Sequence, residues 1–380
     1  MKIIISAGGT GGHIYPALSI INKIKEHDKN SEILYIGTTD RMEHEIVPNL
    51  GIPYVGIKMS GLSKNIFKDV KSVCLLATSL VKIRKIIKEY NPDIVIGVGG
   101  YITFPVIYEA SKLGYKTFIH EQNSIPGKSN KLLVKYVSKI AVSLPGSLKY
   151  FPEDKVILTG NPRSSEAVKA KPIEKYELGL TKNKKFVLIV MGSLGSMTIN
   201  KELEHIATNF KNKDYEVMII TGKNYFDNFK DVKIKNVKIV PFLNNMLNVL
   251  KVCDLIITRA GASTIAEITA IGVPSILVPS PYVANNHQYY NALELVNNKA
   301  SVLLEEKDFN AKNLISKIDE LLSNEKLLKE MHNNALKLGN PNSSDLIYKE
   351  IKKLVGSYGK DNKWNNEFKN RWCISKCKFK

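Results

Sequence analysis

Short apolar runs alternate with amphipathic stretches along most of this chain. In the first half the runs stand at Lys2–Ser6, Glu32–Gly37, Tyr54–Ile57, Asp93–Gly97, Lys116–His120 and Lys139–Ser143. They are rich in Ile and Val and nearly continuous, as strands covered on both faces are. Between them apolar residues recur at helical spacing, and Ile14, Leu18, Ile21 and Ile24 share one face of the first such stretch. The alternation predicts an α/β fold with mostly parallel sheets. Between Phe151 and Lys185 the pattern loosens into a junction that holds the short run Val156–Leu158, then Gly160-Asn161-Pro162-Arg163, then a Lys/Glu-rich stretch. It restarts at Phe186–Met191 and continues through Val217–Thr221, Val237–Val240, Leu255–Thr258, Ser275–Val278 and Ser301–Leu304, turning helical from Asn310 to about Val355.

A chain of 380 residues exceeds one ordinary core. The restart divides it into a first Rossmann-like domain over 1–160 and a second over 161–340. A helix over 341–357 returns to the first domain, and a basic tail spans 358–380. Ligands of doubly wound sheets sit at the carboxyl ends of the strands, so two such halves imply a cleft between them.

The first strand runs straight into Ala7-Gly8-Gly9-Thr10-Gly11-Gly12-His13. Glycines let the backbone turn sharply and approach a ligand. The helix that follows points its N–H groups and dipole at the same spot, which suits a diphosphate. His13 adds a group that moves protons near neutral pH. The loop departs from the dinucleotide fingerprint, because its last glycine position is Ile14, although Asp40 follows the second strand. NAD, another phosphate ligand and a purely structural turn all remain open on this element alone.

Further ligand signals sit at other strand ends. Gly192-Ser193-Leu194-Gly195-Ser196 opens a second glycine turn. Arg259-Ala260-Gly261-Ala262-Ser263-Thr264 leads from a strand into a helix whose N-terminus can hold a phosphate. Glu267, one turn on, can accept both hydroxyls of a ribose; the alternative is an acid favoured by the helix dipole. Gln288 and Asn291 share a helix face and offer the donors and acceptors that sugar hydroxyls need. His120-Glu121-Gln122-Asn123 closes a strand in the first half, and four polar residues there are expected to line the cleft.

Together, GGTGGH, GVGGY, HEQN, GNP-R, MGS-LGS, RAGASTIAE and NHQ-YYNA occur in the order and spacing of the MurG family, which the chain resembles over about residues 1–355. The resemblance implies the GT-B architecture of glycosyltransferase family 28. It implies an inverting transfer of GlcNAc from UDP-GlcNAc to the C4 hydroxyl of undecaprenyl-linked lipid I, in peptidoglycan synthesis. The acceptor is then expected on the first domain and UDP-GlcNAc on the second. By position, Thr10, Gly11 and Gly12 approach the diphosphate and acceptor, and Tyr101 in the GVGGY turn joins them. Asn123 meets the GlcNAc side, and Arg163 contacts the nucleotide sugar. Ser193 binds phosphate and Leu243 sits against the uracil. Ala262, Ser263, Thr264, Ile265, Ala266 and Glu267 hold phosphate and ribose; Gln288 and Asn291 face the sugar. Met191 and Leu194 depart from the family pattern of the second loop. An inverting displacement needs one base. His13 is the candidate, with Glu121 second; the alternative for His13 is a group that only orients. No Asp-x-Asp motif marks a metal site, so no cofactor or metal is expected. The rivals on the same fold are a UDP-GlcNAc 2-epimerase and another GT-B glycolipid transferase.

The net charge of +19 favours anionic partners. No run is long enough to span a bilayer and the first residues already form a strand, so a peripheral protein on the cytoplasmic face of the cell membrane is expected. Between Lys58 and Tyr90 a helix is expected to bury Ile66, Val70, Val73, Ala77 and Leu80 on the sheet. Phe67, Leu75, Leu76 and Ile83 fall partly off that face, flanked by Lys82 and Arg84. An apolar patch with a basic rim suits anionic lipid. Other cell-wall synthesis proteins are further candidate partners; nucleic acid is not. Cys373 and Cys377 in the tail lack a nearby His and are not read as a metal site.

Overall fold

Every apolar run named above forms a strand. The computed structural model describes residues 1–59, 66–191 and 197–356, without the side chains of 66–74, 76, 197 and 198. Its first sheet contains β1 (Lys2–Ser6), β2 (Glu32–Thr38), β3 (Tyr54–Ile57), β4 (Ile94–Gly97), β5 (Lys116–Glu121), β6 (Lys139–Val142) and β7 (Val156–Leu158). The strands are parallel and lie in the order β3-β2-β1-β4-β5-β6-β7. The short run in the junction is therefore an edge strand of this sheet. The second sheet contains β8 (Phe186–Val190), β9 (Glu216–Ile220), β10 (Val237–Val240), β11 (Leu255–Thr258), β12 (Ser275–Leu277) and β13 (Ser301–Leu303), in the order β10-β9-β8-β11-β12-β13. Both sheets thus reverse direction beside their first strand, the topology that opens a crevice at the strands' carboxyl ends.

Crossover helices cover both faces. In the first half they are α1 (Gly11–His27), α2 (Glu43–Asn49), α3 (Ile66–Tyr90), α4 (Thr103–Lys112) and α5 (Lys128–Leu133). At the junction lies α6 (Arg163–Lys169). The second half adds α7 (Met197–Ala207), α8 (Met246–Leu250), α9 (Ala262–Ile271), α10 (His287–Val296), α11 (Ala311–Ser323) and α12 (Glu325–Leu338). A last helix, α13, spans residues 343–356. Alternate residues of each strand enter opposite cores, as the pleat requires: Ile3 and Ile5 pack on one side of β1 and Ile4 on the other. In β8, Val187 and Ile189 face away from Phe186 and Leu188 in the same manner.

The chain crosses between the halves twice. Asn340 Nδ2 donates to the Thr159 carbonyl at 2.9 Å, and Ser165 Oγ donates to the Pro341 carbonyl at 2.7 Å, so the two crossings are stitched together. Beyond them Ile347 and Ile351 of α13 are buried in the core of the first half. The buried Lys23 of α1 pairs with Asp345 at 3.0 Å, and the His27 ring stacks on Tyr348 with centroids 4.3 Å apart.

The phase of α3 differs from the expected one. Ser79, Ile83 and Ile87 are its buried stripe at i, i+4 spacing, while Ala77 and Val81 are exposed. Ile83 is thus a core residue. Apolar residues occur on several faces of this helix, and the position of α4 selects which of them is covered.

Candidate functional site

The first half of the site forms where the sheet order reverses, between β1 and β4. The turns that leave these strands interlock. Gly8 N donates to the Gly99 carbonyl at 3.2 Å, and a Cβ on Gly100 would stand 2.3 Å from the Gly8 carbonyl oxygen. Gly9 has φ +94, a conformation that side chains resist. With the N–H groups of Gly8 and Gly9 used internally, the first turn of α1 at Gly11 and Gly12 presents the loop's outward donors. Thr10 and Gly12 are exposed, and Gly11 is half-buried. The Tyr101 side chain beyond the second turn interacts with Arg41 and holds the guanidinium pKa above its ordinary value.

His13 is half-buried, with Nδ1 3.1 Å from the Gly8 carbonyl oxygen. A carbonyl only accepts, so Nδ1 carries the hydrogen and Nε2 keeps a bare lone pair. Burial holds the His13 pKa below its ordinary value. Glu121, the Gly8 carbonyl and Glu43 offset part of that effect, while His287 across the cleft adds to it. The neutral ring that results at pH 7 is the form a base requires.

The residues of His120-Glu121-Gln122-Asn123 do not all line the cleft. His120, Glu121 and Gln122 are buried, and only Asn123 is half-exposed. Glu121 Oε1 accepts from Asn123 N at 2.9 Å and Nδ2 at 3.2 Å; Oε2 accepts from Gly127 N at 3.0 Å and Asn130 Nδ2 at 2.8 Å. Four donors turn this carboxylate into the organiser of the 122–130 loop, where the sequence suggested a second base. His120 Nε2–H donates to the Gly160 carbonyl at 3.1 Å, and its Nδ1 accepts from Gln122 Nε2 at 3.1 Å. Burial lowers its pKa to about 4.

Asn291 also corrects the sequence expectation. It is fully buried; its Oδ1 accepts from Ser124 N at 2.8 Å, and its Nδ2 donates to Asn123 Oδ1 at 3.1 Å and to the Ala260 carbonyl at 3.2 Å. One hydrogen reaches Asn123 across the halves and the other is spent on Ala260 within the second half, so neither faces a sugar. Ser124 Oγ adds a donated bond to Glu294 at 2.7 Å.

The second half of the site is the N-terminus of α9. Gly261 caps it; Ala262, Ser263 and Thr264 are half-buried in its first turn, and Ile265 and Ala266 are buried behind them. Ser263 Oγ is buried without a hydrogen-bond partner. A buried hydroxyl without a protein partner beside the positive end of a helix is chemically matched to an anion. Glu267 points back to the junction, where Arg163 Nε donates to its Oε1 at 2.8 Å. Arg163 also bonds Glu166 and lies over the Tyr15 ring, 5.6 Å from its centroid. Burial pushes the Glu267 carboxyl up, and Arg163 only partly offsets it. This chain of contacts ties α1, which carries His13, to α6 and to α9, which carries Ser263. Leu243 packs half-buried on the second core, and Gln288 Oε1 accepts from Ser280 N at 2.9 Å.

Arg84 pairs with Glu109 of α4 at 3.2 Å, so it is not a free member of a basic rim. Leu75 is half-buried and Lys82 exposed, its Nζ bonded to the Gly56 carbonyl at 3.3 Å. The side chains of Phe67 and Leu76, the Ser193 loop and the tail 358–380 lie outside the described residues. Glu43, Tyr15, Glu166 and Ser124 were not singled out from the sequence. Glu43 lies three residues after Asp40, the acid that the dinucleotide pattern drew attention to.

Residues 3–142 match the glycosyltransferase family 28 N-terminal domain, and residues 186–347 its C-terminal domain. The chain belongs to glycosyltransferase family 28. Its two matched domains coincide with the two sheets, which face one another in the GT-B arrangement. Within family 28 it sits in the MurG group. A UDP-N-acetylglucosamine–N-acetylmuramyl-(pentapeptide) pyrophosphoryl-undecaprenol N-acetylglucosamine transferase from Bacillus cytotoxicus is 44% identical over 93% of this chain and 100% of its own length. A protein of that name numbered 1, from Bacillus cereus, is 45% identical over the same shares. The crystal structure of Acinetobacter baumannii MurG superposes with a TM-score of 0.74 at 26% identity, over 93% of this chain and 99% of that one.

Proposed function

We propose that this family 28 enzyme transfers GlcNAc from UDP-GlcNAc to the C4 hydroxyl of undecaprenyl-diphosphate-MurNAc-pentapeptide, turning lipid I into lipid II. Two observations support the mechanism: His13 opens α1 with Nε2 bare, and α9, which packs against α1, carries the unpartnered Ser263 hydroxyl at its N-terminus. The C4 oxygen attacks C1 of GlcNAc as His13 Nε2 takes its proton. The bond from C1 to the diphosphate oxygen breaks, and UDP leaves with the electron pair. Attack opposite the leaving group inverts C1. The α9 N–H groups and Ser263 stabilise the charge that develops on the diphosphate, which assigns leaving-group stabilisation to the protein without a resident metal. Glu267 receives the ribose hydroxyls, and Arg163 keeps it oriented. Leu243 contacts the uracil, Gln288 the sugar, and Thr10, Gly11 and Gly12 the acceptor diphosphate. Asn123 and Asn291 hold the halves in register.

The acceptor is a lipid, so the reading includes docking to the cytoplasmic face of an anionic membrane through the first half. Among the described residues no helix is long and apolar enough to cross a membrane. Val81 on α3 and Leu132 on α5 are exposed; Lys131, next to Leu132, and Lys149 stand over the Tyr150 ring. Exposed apolar side chains among lysines suit that surface.

The test is UDP release from UDP-GlcNAc with and without a short-chain lipid I analogue, in buffer with and without a chelator. Acceptor-dependent release with a disaccharide product, unchanged by chelator, supports the reading. Release or epimerisation without acceptor overturns it.

A further inference from the structure

A buried carboxylate lies directly beneath the glycine loop, and the mechanism above leaves it without a task. Glu43, the first residue of α2, is fully buried. Its Oε2 accepts from Gly9 N at 3.0 Å. Its Oε1 accepts from Thr38 N at 3.1 Å and Thr38 Oγ1 at 2.7 Å. Space has been cleared for it on two sides: a Cβ on Gly8 would come within 2.4 Å of its Oε1, and one on Gly37 within 2.7 Å of its Cγ. Removing an acid from water is costly, and a core needs none for stability. This one clamps the end of β2 to Gly9. The neighbouring Gly8 is the residue whose carbonyl holds His13 Nδ1.

We infer that Glu43 is a positioning residue: it fixes the glycine loop, and through Gly8 it aims the bare Nε2 of His13 at the acceptor hydroxyl. The inference rests on the reading of His13 as the base. Its charge has a second effect, because it favours the protonated form of His13 from below. The groups facing Glu43 are Tyr35 and Tyr54, from β2 and β3, and Arg41 ahead of α2; those facing His13 are Glu121 and His287.

Glu43→Gln tests this. The amide oxygen can keep one set of donors, but its NH2 then confronts the N–H of Gly9 or Thr38. The expected result is a kcat lowered on the order of tenfold to a hundredfold, the cost of misplacing a reacting group by about an ångström. KM for UDP-GlcNAc stays at the parental value, since the donor site is in the other half. The acid limb of the pH–rate profile moves to lower pH, because His13 loses a neighbouring negative charge. Thr38→Val is the second variant. It removes one donor and keeps the charge, so kcat falls less and the acid limb stays in place. Parental kcat with an unmoved acid limb in Glu43→Gln overturns the inference, as does parental kcat in Thr38→Val if Glu43→Gln does not fold. Failure of the underlying reading is distinguishable: it is seen in His13→Asn, whose turnover would then match the parent whatever Glu43 does.

Discussion

Acidification should loosen this protein at one identifiable residue. His120 sits at the carboxyl end of β5 with no exposure, donating from Nε2 to Gly160 and accepting at Nδ1 from Gln122. A proton on Nδ1 would face the Gln122 NH2, donor against donor. That same NH2 donates to the Val98 carbonyl at 2.7 Å, so the disturbance reaches the turn that supports His13. The ring's pKa falls from 6.5 to about 4 on folding. The unfolded chain therefore binds more protons below pH 6.5, and stability present above that pH is lost as pH falls toward 4. At about 1.36 kcal/mol per unit the full effect is about 3 kcal/mol, of which about 2 kcal/mol is lost by about pH 5. The assay is urea unfolding of the parent and of His120→Gln at pH 7.5 and pH 5, two conditions bracketing most of the window. Gln keeps a donor toward Gly160 and cannot titrate, so carboxylate effects cancel in the comparison. The parent should lose about 2 kcal/mol more than the variant on going to the lower pH. Parallel losses would refute the assignment.

Three further outcomes are expected. His13→Asn should lower kcat by about 10²- to 10⁴-fold with UDP-GlcNAc binding retained, as removal of a general base does; turnover within a few-fold of the parent, measured by UDP release, would exclude the role. Glu267→Gln should weaken UDP-GlcNAc by about 10- to 100-fold through lost charge-assisted hydrogen bonds, read as KM or by calorimetry, with a smaller effect on acceptor KM. Replacing Leu75 and Lys82 by Glu should abolish flotation with anionic vesicles while soluble-acceptor turnover persists; unchanged flotation would remove α3 from the membrane surface.

The strands, their parallel arrangement and the glycine turns after β1 and β4 were legible in the order of residues. Ile-rich runs between helical stretches have few other ways to bury themselves, and a turn such as Gly8-Gly9 announces its backbone conformation through composition. The seven motifs carried the family with them, since each is a local run of neighbouring residues. Partnership was not legible. Asn291 and Asn123 read as sugar contacts and are joined to one another across the halves. Glu121 read as a possible base and is enclosed by four donors. Glu43 read as nothing and lies under Gly9. The buried face of α3 was misjudged because its apolar residues permit more than one phase. Local pattern decides which groups reach a strand's carboxyl end, because that depends on neighbours in sequence. Whether a polar group there faces a ligand or another side chain depends on residues tens or hundreds of positions away, and only the packing of the two halves brings those together.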